Sequence, residues 1–295
     1  MDKNILNFVS GNELLEICKE RNISISEAMI LREEEYFGVS REEQWSRMEH
    51  SWNIMKESAT KALDGNVVSM GGLIGGEASL LNKRRLSNAI SPCGNLVSKA
   101  ITYAMGVLEV NSSMGLIVAA PTAGSSGVIP GAFLAIKEEL GFSDEDMIRA
   151  LFHAGAVGYI IAYNATISGA EGGCQAEVGS ASAMAASAIT ELLGGTPAQS
   201  LSAAASAMSN LLGLVCDPIG GLVEAPCQQR NAMGVSNALI SSEIALCGVY
   251  NAVPFDEVVG VMYNVGRSLP HELRETALGG LATAPSACSS CKKCF

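Results

Sequence analysis

The sequence is poor in charge and poor in aromatic rings: 17% of its residues are charged and 5% aromatic, against 48% apolar. Basic residues are scarcer than acidic ones, which leaves a formal net charge of −11 over 295 residues. A surface of that sign argues against a nucleic-acid partner, because phosphates are bound by clustered Lys and Arg. β-type alternation is also missing, which predicts a mainly α fold whose abundant Gly, Ala and Ser sit at close helix contacts. Long apolar runs do not occur. The stretch 150–161 is interrupted by His153 and followed by Asn164, and 203–215 is broken by Ser206, Ser209 and Asn210. Neither makes the roughly 20 apolar residues of a membrane span, and both lack flanking Lys/Arg clusters. The N-terminal Met1-Asp-Lys-Asn has no basic start followed by an apolar run, so the expectation is a cytoplasmic protein. Lysine is rare as well. Between Gly65 and Ala287 only Lys83, Lys99 and Lys137 occur, none in a setting that suits a Schiff base, which argues against pyridoxal phosphate.

What is present divides the chain into three: a charged helical segment over 1–65, an all-helical domain over 66–284, and a cysteine-rich tail over 285–295. In the first segment, Ser24 to Glu27 and Ser40 to Glu43 have capping-box spacing. Trp45, Met48, Trp52, Met55, Ala59 and Ala62 then form one apolar stripe at helical spacing. Such a stripe is core or a subunit contact, and its strongly charged opposite face favours a docking surface. Residues 66–98 are Gly-rich with a basic run, Lys83-Arg84-Arg85, read as a solvated face. Pro254 and Pro270 are expected each to begin a helix, and Gly279-Gly280 to end the last one.

The remaining chemistry sits in turns. Cys174 lies in Ser168-Gly-Ala-Glu-Gly-Gly-Cys-Gln-Ala-Glu-Val-Gly, and Cys216 and Cys227 bracket Cys-Asp-Pro-Ile-Gly-Gly-Leu-Val-Glu-Ala-Pro-Cys-Gln-Gln-Arg-Asn. Turns let the backbone approach a bulky inorganic group and direct N–H groups at sulfur. Three soft thiolates suggest a [4Fe–4S] cluster with one iron open to substrate. The gaps between them match no short metal motif, however, and buried cysteines also pack as small hydrophobes. Nine cysteines, an odd count, fit thiol or metal chemistry better than a disulfide framework. The loop from Ala120 to Gly127 presents N–H groups and the hydroxyls of Thr122, Ser125 and Ser126 at a helix start. That arrangement suits a carboxylate or phosphate, or is an ordinary Gly/Ser turn. Between Ala150 and Tyr250, Arg230 is the one Lys or Arg among six acidic residues, so it is either ion-paired or poised for a carboxylate. In the tail, Cys288, Cys291 and Cys294 could hold a metal, donate one thiolate to the open iron, or hang free.

These long motifs, with Pro121-Thr-Ala-Gly-Ser-Ser-Gly-Val-Ile-Pro130 and Asn164-Ala-Thr-Ile-Ser-Gly, resemble the alpha subunit of bacterial iron–sulfur L-serine dehydratase over residues 12–284. The resemblance implies an all-helical domain, Cys174, Cys216 and Cys227 as ligands of a [4Fe–4S] cluster, and conversion of L-serine to pyruvate and ammonia. For that reaction the loop of Thr122, Gly124, Ser125, Ser126 and Gly127 is expected to take the substrate carboxylate, with Asn164, Ser168 or Arg230 as helpers. The Ser-Ser-Ser-His-Thr motif of the beta part does not occur, which implies a separate beta subunit and an oligomer of alpha–beta pairs. Cys294, ahead of Cys288 and Cys291, is the candidate to cap the open iron. His50, His153 and His271 lie in no motif, so the general base is expected from the beta chain. An L-cysteine desulfidase and, in another class, a non-catalytic iron–sulfur redox sensor are the alternatives.

Overall fold

The computed structural model of the chain describes residues 6–87 and 89–290, and of 288–290 the backbone alone. Thirteen α-helices run through it: α1 Gly11–Arg21, α2 Ile25–Phe37, α3 Arg41–Lys61, α4 Glu77–Leu86, α5 Gly94–Ser112, α6 Val128–Leu140, α7 Asp144–Asn164, α8 Gly169–Gly172, α9 Ser180–Leu192, α10 Pro197–Ser209, α11 Cys227–Leu246, α12 Phe255–Ser268 and α13 Pro285–Ser290. The described residues contain no strand, only an isolated parallel bridge between Cys216 and Arg274. The mainly α expectation therefore holds. No helix among the described residues is long and apolar enough to cross a membrane.

The organising element is α9. Every residue from Ser180 to Thr190 is buried, and α6, α7, α10 and α11 pack around it. Its Ala- and Ser-rich sequence makes this possible, since small side chains let neighbouring backbones come close at interior packing density. Buried hydroxyls must find partners. Ser182 Oγ donates to Gly234 O at 2.9 Å, Thr190 Oγ1 to Ala186 O at 2.8 Å, and Ser187 Oγ lies 2.7 Å from His153 Nε2.

The N-terminal segment does not stand apart. Leu14, Ile25, Trp52 and Met55 join the same core cluster as the α6–α9 residues. The Trp/Met stripe faces that core: Trp52, Met55 and Ala59 are buried, Trp45 and Met48 partly so. Trp52 is fixed further by Nε1 donating to Asp144 Oδ1 at 2.7 Å. The stripe is core, not the docking surface its charged opposite face suggested.

Both expected caps form, but only by half. Ser24 Oγ and Ser40 Oγ accept from Glu27 N and Glu43 N, while the two carboxylates turn outward to Arg41 and Arg47. Full capping boxes close at Ser143–Asp146 and Thr196–Gln199. Near the C-terminus, Pro254 caps α12 as expected, whereas Pro270 opens only a short 3-10 turn, His271–Leu273. The chain continues past Gly279-Gly280 into the 3-10 turn Gly280–Thr283 and α13. The reason lies in Cys216: its N–H donates to Leu273 O at 2.8 Å and its carbonyl accepts from Glu275 N at 2.7 Å, which pins 273–275 beside Cys216.

Candidate functional site

Three buried thiols come from three separate segments. Cys174 precedes a π-helical turn, Gln175–Gly179, that leads into α9. Single π turns interrupt helices mostly at functional sites. Gln175, the first residue of this turn, ties neighbouring segments together through its side chain. Nε2 donates to Gly172 O at 2.9 Å and Met262 O at 3.0 Å, and Oε1 accepts from Gly213 N at 2.8 Å. The Cys174 turn is thereby bound to the loop that carries Cys216. Cys227 is the first residue of α11, a position where the helix dipole favours a thiolate.

Burial is the largest influence on all three thiols. It pushes Cys174 and Cys227 up to about 12 and raises Cys216 as well, with Glu177 the next cause in each case. A charge on Cys227 also raises Cys174 and Cys216, and one on Cys174 raises Cys216, so the thiols share one electrostatic environment. Among the described residues no three His, Cys, Asp or Glu side chains are arranged to hold a metal ion. Three buried thiols within one another's field are a donor set that suits a thiolate-held metal or iron–sulfur group. Soft, buried donors beside a single arginine fit the same group.

Carboxylates complete the site. Glu177 is raised by burial and then by the negative charge of Glu275, against the opposing hydrogen bonds of Thr122 and Cys216 and the charge of Arg230. Thr122 Oγ1 donates to Glu177 Oε1 at 2.8 Å, and Cys216 Sγ lies 3.8 Å from Oε2. Only glycine leaves room here: a Cβ on Gly169 would come within 2.5 Å of Glu177 Oε2, and one on Gly124 within 2.9 Å of Oε1. Glu275 stands exposed at φ 64, held there by its N–H to Cys216 O.

The structure brings some of the expected residues together and gives others different work. Thr122 joins Glu177 directly. Gly124 O and Gly127 N are held by the Asn231 side chain, at 2.8 and 2.9 Å, which fastens the loop to α11. Ser125 and Ser126 are fully buried; Ser125 Oγ lies 3.1 Å from Thr122 Oγ1, and Ser126 Oγ donates to Ala123 O at 2.7 Å. Ser168 caps the short α8 beside Gly169. Asn164 donates to Val9 O and Ile160 O and lines a cavity with Ser10, Asp256 and Val259. Arg230 is ion-paired: Nη2 donates to Asp217 Oδ1 at 2.7 Å and Nη1 to Val215 O at 2.8 Å. Of the tail cysteines, Cys291 and Cys294 lie outside the described residues, as does the side chain of Cys288.

The residues missed from the sequence are Glu177, Asp217, Glu224, Asn231 and Glu275. One signal was available. Three of the six acids in the cation-poor stretch, Glu177, Asp217 and Glu224, are buried, and a buried acid needs specific donors.

Fold and site together define an all-helical domain with a buried three-thiol centre fed by a hydroxyl-rich loop. The family model for the serine dehydratase alpha chain matches residues 20–282, and the chain belongs to that family. It is 49% identical to the "Probable L-serine dehydratase, alpha chain" of Bacillus subtilis, over 98% of this chain and 95% of that one. To the "L-serine dehydratase, alpha chain" of Peptoniphilus asaccharolyticus it is 45% identical, over 92% and 93% respectively. Against the "L-serine dehydratase TdcG" of Escherichia coli identity is 36% over 93% of this chain but only 61% of that protein.

Proposed function

We propose that the chain is the cluster-carrying alpha subunit of a cytoplasmic L-serine ammonia-lyase, which releases pyruvate and ammonia from L-serine together with a separate beta subunit. The observation that carries this reading is the convergence of Cys174, Cys216 and Cys227, from three segments, on one environment in a chain of the serine dehydratase alpha family. These three thiolates would hold a [4Fe–4S] cluster, which when bound supplies a Lewis acid for departure of the substrate hydroxyl.

The chain's own residues bind and position. The loop Thr122, Gly124, Ser125, Ser126 and Gly127 receives the substrate carboxylate, its shape set by Asn231 from α11. Glu177 holds that loop at Thr122 Oγ1 and reaches Cys216 with its other oxygen, so substrate loop and thiol centre are fixed relative to each other. Arg230, through Asp217 and Val215 O, keeps positive charge beside Cys174 and Cys227 and so offsets part of the thiolate charge. The proton on the substrate α-carbon goes to a base from the beta chain: His153 is fully buried against Ser187 and Glu191, and His50 and His271 are exposed.

The test is an anaerobic assay of the chain with its beta partner. Pyruvate and ammonia should form from L-serine, and Cys227→Ser should abolish turnover by at least about a thousandfold while leaving beta binding intact. Sulfide release from L-cysteine with no turnover of L-serine would overturn the assignment.

A further inference from the structure

We propose that the beta chain docks on an apolar face made by Val68, Met70, Met114 and Leu116, and that the Gly-rich segment 69–76 carries this contact to Cys227. The inference rests on the reading that the enzyme has a separate beta subunit.

The four side chains are 72%, 55%, 77% and 69% exposed. They belong to two segments that Met70 N, donating to Ser112 O at 2.9 Å, ties side by side. Met114 adopts a left-handed φ of 65, a conformation that a long side chain rarely takes, and presents its thioether to solvent. Exposed apolar clusters of this kind mark interaction surfaces, and methionine adapts to a partner's shape. The patch also lies beside the proposed substrate loop, since Asn111 Nδ2 donates to Ala123 O at 3.3 Å.

Its link to the thiol centre runs through buried carboxylates. Glu224, 1% exposed and three residues before Cys227, accepts from Ser69 Oγ at 2.6 Å, Gly71 N at 2.6 Å and Leu73 N at 2.9 Å. Glu109, fully buried, accepts from Gly76 N at 3.0 Å and Ala78 N at 2.8 Å, and from Gln228 Nε2, next to Cys227, at 3.0 Å. One end of the segment is therefore fastened to Glu224 in the turn that leads into α11, and the other, through Glu109 of α5, to Gln228 in the first turn of α11. A partner that orders 68–70 also orders the backbone around Cys227.

The occupant follows from length. This chain covers 95% of the Bacillus subtilis alpha chain but 61% of the Escherichia coli relative and 60% of the "L-serine dehydratase" of Streptomyces coelicolor, which leaves about two fifths of those longer chains unmatched. A two-chain enzyme must make between subunits the contact that such relatives make within one polypeptide. That contact has to reach the reaction site if it is to deliver a base. A second exposed apolar face, at Ile240 and Ile244, lies on α11 roughly 20 Å along the helix from Cys227, too far to serve.

The experiment titrates the separately purified beta chain into the full-length, cluster-loaded alpha chain under anaerobic conditions, with hydrogen exchange read on both. Bound beta chain should slow exchange over 66–76 and 110–117. The pair Met70→Asp with Met114→Asp should weaken binding by about tenfold or more, while Ile240→Asp with Ile244→Asp binds as the unaltered chain does. Protection elsewhere, or unchanged affinity in the methionine pair, overturns the proposed face. Loss of self-association in that pair with beta binding intact assigns the face to a second copy and overturns it too. If the unaltered chain binds no beta chain, the reading of a two-chain enzyme fails, and the docking face with it. The exchange measurement needs no variant, so a misfolded substitution does not obscure the result.

Discussion

Glu191 joins three helices through one carboxylate. From α9 it accepts from Ile25 N at 2.8 Å and Ser26 N at 3.2 Å at the start of α2, and Oε2 lies 3.1 Å from His153 Nδ1 on α7. Burial pushes this acid up, yet the His153 ring and the donors of α2 outweigh burial and hold it at about 2, below its ordinary value of 4.5. A depressed acid stabilises the fold in full above its unfolded value and ceases to do so as pH falls through its folded one. Glu191→Gln should therefore cost about 2 kcal/mol or more at pH 7, and the deficit should shrink between pH 4.5 and pH 2. Urea midpoints for both proteins across that range check it; a deficit independent of pH would contradict the assignment. At this scale the Gly- and Pro-rich turns marked the three cysteines as candidates, with packing as buried small hydrophobes an equal reading of the same residues. Glu177 was not legible. Its role depends on Thr122 and Cys216, which lie 55 and 39 residues away and which no local pattern connects to it.

Among the elements, the contact of α5 with α6 shows what the Gly-rich loops are for. A Cβ on Gly127 would stand 2.2 Å from Ala104 O, so the carbonyl of α5 occupies the space a side chain would need. Gly127→Ala should destabilise the protein by about 2 kcal/mol or more, because backbone atoms cannot yield as a flexible side chain can. It should also disturb the Asn231 contact that shapes the loop, raising KM for L-serine more than it lowers kcat. Thermal unfolding and steady-state kinetics read the two effects separately. A variant as stable as the parent would show that the helices can separate at no cost. Helix starts were legible from caps: α2 begins after Ser24, α3 after Ser40 and α12 after Pro254. The segment after Pro270 was not, because a long-range bridge to Cys216 overrides the helical start that proline signals. The first 65 residues differ from the rest in composition, being charged and helical. Their charged faces point outward, but their apolar faces share the core of the remaining helices.

At the scale of the whole molecule, an acidic, aromatic-poor chain has built a closely packed helical body around α9 and placed its thiols where three loops meet. Mainly α architecture was legible from what the composition lacked. The way in which Gln175, Glu177, Asn231 and Glu224 fasten those loops was not, since each acts across more than 35 residues of chain. The central claim is a cluster held by Cys174, Cys216 and Cys227 and open to substrate. Its most direct test is to count iron and sulfide in the anaerobically purified alpha–beta complex and follow electron paramagnetic resonance as L-serine is added. About four irons and about four sulfides per alpha chain, with a signal that changes on adding L-serine, are the predicted result. The same iron content in a variant lacking all three cysteines, or a signal indifferent to L-serine, would contradict it.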